Sequence, residues 1–158
     1  MADAFDYRPD GRTIYLRLAG PESVVDAIAQ EVRSFWEPDV ADLPDPDDFW
    51  RSLGLLDCFG ENKTVVKVPT TSTSFLELRK SLSQETPLHL SVAGGVVWIF
   101  ADSDEQLAEV DKCLASLDLQ GLVVQGSCKR FRVGTWPSSN MESAVKAAMD
   151  PTARFPGL

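Results

Sequence analysis

The chain has 158 residues, which is enough for one domain of ordinary size. Its 15 Lys and Arg against 24 Asp and Glu give a net charge of −9, which argues against a nucleic-acid partner because phosphate binding needs a basic surface. A hydrophobic content of 44% is typical of a globular protein. The longest apolar run, residues 94–101, is far shorter than the roughly 20 residues that cross a bilayer, so no transmembrane segment is expected.

Cysteine and histidine usage excludes further classes of protein. Cys58, Cys113 and Cys128 are widely spaced, and His89 is the only histidine. We therefore expect no zinc site of the usual kind. The N-terminus has neither the basic nor the apolar region of a signal peptide. These features favour a reduced, cytoplasmic protein without a resident metal.

The first third of the chain predicts a strand and a helix. Residues 1–11 are polar, and we expect them to be frayed. Apolar and polar residues alternate over 12–19, which predicts a half-buried strand. Pro21 is well suited to the first turn of a helix, and the apolar spacing over 22–36 predicts one buried helical face.

An acidic segment follows this helix. Residues 37–48 contain three prolines and five aspartates, which indicates a linker or an excursion from the fold. Within it, Asp45 can cap a short helix that starts at Pro46. Residues 64–68 then form an apolar run that Pro69 ends, and this pattern predicts a second strand.

The second half of the chain contains three capping boxes, which are short patterns that mark the start of a helix. Ser74, Ser103 and Ser139 each precede a Glu or Gln by three positions and an apolar-periodic run, so each predicts a helix start. Residues 93–95 predict a hairpin turn between two strands. A short strand is expected over 121–125, with residues 129–133 as its continuation.

The order of these elements predicts the fold class. A tight hairpin in the middle of the chain requires at least one antiparallel strand pair. We therefore expect a single α+β domain over 1–158, ferredoxin-like in character. It should have an antiparallel or mixed sheet with helices mainly on one face.

The sequence contains few residues in a recognisable catalytic pattern. The chain has no GxSxG, HExxH or Walker A motif. His89 faces away from Leu88 and Leu90 on a strand, which favours an exposed or hydrogen-bonded histidine, with a general base as the alternative. All three cysteines suit small core or interface positions; Cys128 precedes basic residues that favour a thiolate, so a reactive thiol is the alternative there.

One basic cluster stands out in this acidic chain. If residues 129–133 form a strand, Arg130 and Arg132 share a face, and two guanidinium groups there can bind a carboxylate or phosphate. Charge balance and the protection of a sheet edge are the alternatives. Trp98 lies in an apolar strand and suits a core, or a surface buried against another domain, better than a ligand platform.

The end of the chain resembles a known signature. A predicted helix is followed by Asp150-Pro151, three residues, Phe155 and Pro156-Gly157, which resembles the C-terminal signature of FAD-linked oxidases. Residues 66–69 look like the Ser-Val-Pro segment of that family, and residues 94–98 are similar to its Gly-Gly-x-x-Trp strand. Together these pieces resemble the flavin-binding E subunit of glycolate oxidase.

The resemblance implies a substrate cap in a larger flavoprotein that oxidises a small 2-hydroxy acid. By this resemblance FAD would be held mainly by a separate N-terminal FAD-binding domain, so we expect no FAD on this chain alone. The expected partners are that domain or other oxidase subunits. The substrate carboxylate needs a cation, for which Lys67, Arg130 and Arg132 are the candidates, with Trp98 as a possible wall.

The chain also departs from the family pattern. Phe155 runs directly into Pro156 without the expected Asn, and Thr64-Val65 stand where the family has a Trp-Arg pair. These departures favour an alternative, a non-catalytic ferredoxin-like docking or binding module. A stand-alone enzyme without cofactor, built on His89 or a carboxylate pair, is the third possibility.

Overall fold

The computed structural model describes residues 2–8, 13–36, 39–55, 63–126, 130–136, 140–152 and 154. Seven strands and five helices lie in these ranges. The strands are β1 (Ala2–Arg8), β2 (Thr13–Leu18), β3 (Thr64–Pro69), β4 (Leu88–Ser91), β5 (Val96–Ala101), β6 (Gln120–Gln125) and β7 (Arg132–Gly134). The helices are α1 (Glu22–Trp36), α2 (Pro46–Leu55), α3 (Ser72–Ser81), α4 (Asp104–Ser116) and α5 (Asn140–Met149).

The strands form one sheet in the order β2-β1-β4-β5-β3-β6-β7, and every neighbouring pair is antiparallel. The middle of the chain runs β3-α3-β4-β5-α4-β6 and places its strands in the order β4-β5-β3-β6. This is the ferredoxin-like arrangement. The predicted α+β fold with an antiparallel sheet is therefore confirmed. The hairpin β1-β2 extends the sheet beyond β4, and β7 extends it beyond β6.

Local signals explain where the helices begin. Asp45 accepts a hydrogen bond from the backbone N–H of Asp48 at 3.0 Å, so it caps α2 as expected. Ser103 caps α4 by accepting from the N–H of Gln106. Helix α3 begins earlier than its capping box predicts, because Thr71 is the capping residue and Ser74 donates its N–H to it.

The two helices that connect strands of the ferredoxin-like unit, α3 and α4, pack against one face of the sheet. Their apolar stripes cover alternate residues of the central strands, and this core includes Val66, Val68, Leu78, Val97, Ile99, Val110, Leu114 and Val133. All eight are almost completely buried. We call this side of the sheet the helix face, and its opposite side the second face.

Helix α2 packs on the second face instead. Its Leu53 joins Val65 and Phe100 in a smaller buried cluster, against which Phe49 and Trp98 pack. β3 and β5 are thus covered on both faces. This explains why apolar residues occupy nearly every position of the two strands.

Two expectations about the first third of the chain are corrected. Residues 1–11, expected to be frayed, include strand β1, whose Tyr7 packs edge-on against Phe75 of α3. The polar composition of these residues gave no sign of a strand. A buried Asp6 is not expected from local sequence, because its burial depends on a contact with the distant His89. Helix α1 forms as predicted, but none of its residues is buried, so its apolar face is only partly covered.

Gly121 provides a test of the packing between α4 and the sheet. A Cβ atom at this position would lie 2.8 Å from side-chain carbons of both Val66 and Val133. We expect Gly121→Ala to lower the free energy of unfolding by about 1–3 kcal/mol in urea titrations, because overpacking a core forces neighbours out of place. The matched control is Gly54→Ala in α2, where a Cβ meets nothing within 4 Å. An unchanged urea midpoint for Gly121→Ala would contradict the close packing described here.

Candidate functional site

A straight row of side chains crosses the second face of the sheet. His89 of β4 pairs with Trp98 of β5, Trp98 with Lys67 of β3, Lys67 with Leu122 of β6, and Leu122 with Arg132 of β7. Paired residues on neighbouring strands point to the same side, and adjacent strands lie about 4.8 Å apart. The five side chains therefore stand next to one another. We call these five residues the cross-sheet row.

Trp98 holds the ammonium group of Lys67. The indole N–H of Trp98 donates to Ser91 Oγ at 2.9 Å, which fixes the edge of the ring. Lys67 Nζ lies 5.5 Å from the centre of the same ring, within the range of a cation–π interaction. Lys67 and Trp98 are both partly exposed. Their arrangement places a positive charge at a defined position on an otherwise apolar strand.

Arg132 is held in the same way at the other end of the row. Its guanidinium carbon lies 4.5 Å from the centre of the Trp136 ring. The Trp136 indole N–H donates to the backbone carbonyl of Val133 at 2.9 Å, which anchors the ring beside β7. Between the two cations stands Leu122, whose side chain is 43% exposed. The row thus offers two cations on indole rings, separated by an accessible apolar residue.

Arg130 does not join this row. It precedes β7, and its guanidinium forms an ion pair with Asp111 of α4, on the helix face. Asp111 also accepts a hydrogen bond from the backbone N–H of Gly134 at 2.7 Å. The structure therefore brings together Lys67, Trp98 and Arg132 and places Arg130 elsewhere.

The expectation that Arg130 and Arg132 share a face assumed a strand from residue 129 onwards. The strand starts at Arg132, and Arg130 is drawn towards a carboxylate on a helix that is distant in sequence. Lys129 and Cys128 lie outside the described residues.

At its β4 end, the row finishes with His89 in a buried side-chain contact with Asp6. Its Nε2 lies 3.2 Å from Oδ1 of Asp6 on β1, and the two residues are 1% and 6% exposed. The predicted hydrogen-bonded strand histidine is therefore found, and His89 faces away from its two leucine neighbours. Its enclosure favours a structural role, because a substrate on the surface does not reach it. Asp6 was not recognised from the sequence, where only its position between Phe5 and Tyr7 hints at a strand.

The first turns of α2, α3 and α4 do not fit the phosphates of FAD. Such phosphates are commonly bound where a glycine-rich loop opens a helix and leaves backbone N–H groups free. Helices α2, α3 and α4 instead have their first N–H groups capped by Asp45, Thr71 and Ser103. No group of three or more possible metal ligands occurs in the described part of the chain.

The half-buried thiol of Cys113 lies on α4 against the core, and burial raises its pKa. A raised pKa disfavours the reactive thiolate, in keeping with a packing role. Cys58 lies outside the described residues. Among the helices that the structure describes, none is long and apolar enough to cross a membrane.

Comparisons with known proteins give no further guidance. No protein-family model, no curated protein and no solved structure matches this chain. The cross-sheet row and the residues that surround it are therefore the features of this chain that bear on its function.

The Asp6–His89 contact yields a second stability test. We expect Asp6→Ala to destabilise the protein by about 1–3 kcal/mol, because it removes the partner of a buried imidazole nitrogen. Amide hydrogen exchange should accelerate most in β1, since β1 and β4 share the single backbone pairing of Tyr7 with Leu90. The exposed Asp39→Ala serves as the control. Equal urea midpoints for the two variants would show that the buried contact adds nothing to stability.

Proposed function

We propose that this chain is the C-terminal substrate-cap domain of a cytoplasmic, glycolate-oxidase-like, FAD-dependent 2-hydroxy-acid oxidase or dehydrogenase. In this proposal a separate FAD-binding domain or subunit holds the flavin. The observation that supports it best is the cross-sheet row, which places Lys67, Trp98 and Arg132 on the face of the sheet opposite α3 and α4.

The chemistry of the row suits this role. In a flavoenzyme the flavin accepts the hydride, and the protein binds and orients the substrate. A 2-hydroxy acid presents a carboxylate, for which the partly exposed ammonium of Lys67 and the guanidinium of Arg132 are suitable partners. The flat ring of Trp98 supplies a wall beside Lys67. Arg130 is the weaker candidate because it lies away from the row, in an ion pair with Asp111 of α4.

The architecture also suits a cap. The helix face is closed by α3 and α4, and this side supplies most of the buried apolar core. The second face is covered by α2 only in part, and Leu122 of β6, which pairs with Lys67, remains 43% exposed. A sheet with one closed face and one partly open face can close over a second domain without disturbing its own core.

A non-catalytic docking module remains the second candidate, and one observation favours it. The end of α1 exposes two large aromatic residues, Phe35 at 78% and Trp36 at 53%. With Glu31 and Val32 they line a surface cavity. Clustered apolar groups of this kind mark sites of protein interaction. In this alternative the cations of the row have no substrate to bind.

A flavin-retention experiment separates the two candidates. We expect the purified chain to bind no FAD in titrations followed by flavin absorbance and tryptophan quenching. When it is mixed with an FAD-binding domain of the FAD-linked oxidase family encoded in the same gene cluster, we expect a complex that retains flavin and oxidises a 2-hydroxy acid. Tight FAD binding by the chain alone would overturn the cap proposal. Absence of any association would favour the docking module.

Substitutions in the complete enzyme test the site itself. We expect Lys67→Ala and Arg132→Ala each to raise KM by about ten- to a hundred-fold, as befits the loss of a charge-assisted hydrogen bond. Lys112→Ala, on the exposed side of α4, is the control and should leave KM unchanged. Arg130→Ala distinguishes the cross-sheet row seen in the structure from the pair of arginines predicted from the sequence. A rise in KM as large as that of Arg132→Ala would support the paired-guanidinium site and contradict the row.

A further inference from the structure

Helix α1 carries more apolar surface than its own chain covers. None of its 15 residues is buried, and its last turn exposes Phe35 at 78% and Trp36 at 53%. A helix of this length is only marginally stable in water by itself, and most helices in proteins are stabilised by packing of an apolar face. Exposed apolar surface of this kind marks contact with another molecule.

The exposed residues of α1 include a stripe along one side of the helix. The stripe has the spacing i, i+4, i+7, i+11 and consists of Val24, Ile28, Glu31 and Phe35. Val24 is 44% exposed, and Ile28 is partly exposed. Because three of its four members are apolar, the stripe presents mainly hydrocarbon to a partner.

The two ends of the stripe are complementary in shape. At the C-terminal end, a surface cavity is lined by Glu31, Val32, Phe35 and Trp36. These residues form two ridges of i, i+4 pairs, and the groove between such ridges accepts a side chain of another helix. Val24, a small exposed residue, lies about three turns, or roughly 16 Å, before Phe35. Val24 therefore cannot reach the cavity of its own helix, whereas the Val24 of a second copy can.

Two antiparallel copies of α1 satisfy both ends at once. Each Val24 then faces the cavity beside Phe35 of the other copy, and Ile28 lies close to the two-fold axis. Such an isologous contact uses one surface twice and closes on itself, which is the commonest arrangement in soluble oligomers. A different partner would need its own matching knob and cavity, whereas a second copy already has both.

The available area is that of a weak dimer. Phe35 and Trp36 together leave on the order of 250 Å² exposed, since an aromatic side chain carries roughly 150–250 Å². Val24, Ile28 and the flanking polar atoms raise this to about 500 Å² per copy. The total of about 1,000 Å² is the lower limit for a specific interface. We therefore expect a dissociation constant in the micromolar range.

We propose that α1 is a homodimer interface, in which two copies of this chain pack their α1 helices antiparallel with each Val24 in the cavity beside Phe35 of the other copy. The aromatic end of α1, for which the docking alternative defines no partner, thereby contacts a second copy of this chain. The inference is independent of the cap proposal, whose candidate residues lie on or next to β3, β5 and β7.

Sedimentation equilibrium of the purified chain, from micromolar to millimolar concentration, tests for the dimer. We expect a monomer–dimer equilibrium without larger species, because the contact closes on itself. Each copy carries a net charge of −9, so the copies repel each other and added salt should tighten the dimer. A chain that stays monomeric at millimolar concentration, or a dimer that salt weakens, would overturn the inference.

Single substitutions locate the interface on α1. Val24→Glu and Phe35→Lys each place a charge in the contact twice per dimer, and each should raise the dissociation constant at least tenfold. Leu76→Glu, at a 58% exposed position of α3, is the matched control and should dimerise like the unmodified chain. Thermal melts of all three establish that they are folded. If Val24→Glu or Phe35→Lys dimerises normally, α1 is not the interface and the inference fails.

A mixture of these two variants tests the antiparallel arrangement. In a mixed dimer the carboxylate introduced at position 24 faces the ammonium introduced at position 35, and the other contact joins an unmodified Val24 to an unmodified Phe35. We expect the mixture to dimerise at least tenfold more tightly than either variant alone. A parallel pair places position 24 against position 24 and gives no such rescue. A mixture that dimerises no better than its components would therefore contradict the proposal.

Addition of an FAD-binding domain separates this inference from the proposed function. If Phe35→Lys prevents dimerisation and still forms a flavin-retaining complex with that domain, both are supported. If the chain dimerises as described but no FAD-binding domain associates with it, the inference stands and the cap function fails. If the chain is monomeric and Phe35→Lys abolishes its complex with that domain, the cap function stands and the inference is overturned.

Discussion

The register of β3 against its two neighbours is the constraint on which the rest of the structure depends. Val66 and Val68 are completely buried beneath α3 and α4, and they alternate with Lys67. A slip of one residue would place Lys67 in the helix-face core and expose both valines. Burying an ammonium group there without a partner is far more costly than losing a strand hydrogen bond. The apolar core therefore also determines where the side chains of the candidate site stand.

The same register explains why the cross-sheet row is straight. β3 pairs with β5 over its whole length and with β6 over the residues that include Lys67, so Trp98 and Leu122 align on either side of it. β7 adds only three residues, yet these suffice to continue the row to Arg132. Each cation then rests on an indole whose own N–H is hydrogen-bonded. Backbone pairing places the charges, and the aromatic rings orient them.

Local patterns in the sequence predict much of the ferredoxin-like unit but little of what depends on distant contacts. The caps at Asp45 and Ser103 act within one helical turn, and the hairpin before Val96 depends on adjacent residues, so all three were predictable. Strand β1 was not, because the burial of Asp6 requires His89, which lies 83 positions away. Likewise, Arg130 pairs with Asp111, 19 positions before it, and no local pattern shows this contact.

The sequence predicts which side chains suit the candidate site, but it does not predict which of them lie next to one another. The sequence indicates that Lys67, Trp98 and Arg132 are suitable side chains, but their adjacency comes from a strand order in which β3 lies between β5 and β6. Pattern alone does not determine that order. The sequence pattern also suggested that Arg130 and Arg132 act together. In the sheet, the other cation on the same face as Arg132 is instead Lys67, two strands away.

The candidate binding residues and the main core lie on opposite faces of the sheet. Lys67 and Arg132 are partly exposed on the second face, whereas the main core lies on the helix face. The charge of Lys67 can therefore be removed at little cost in stability. Trp98 is the exception, because its ring packs with the cluster beneath α2 and also positions Lys67. Trp98→Phe preserves most of that packing but loses the hydrogen bond to Ser91, so the ring turns more freely and the Lys67 charge is less well placed. The position of a charge on this face is thus determined by the packing of its aromatic neighbour.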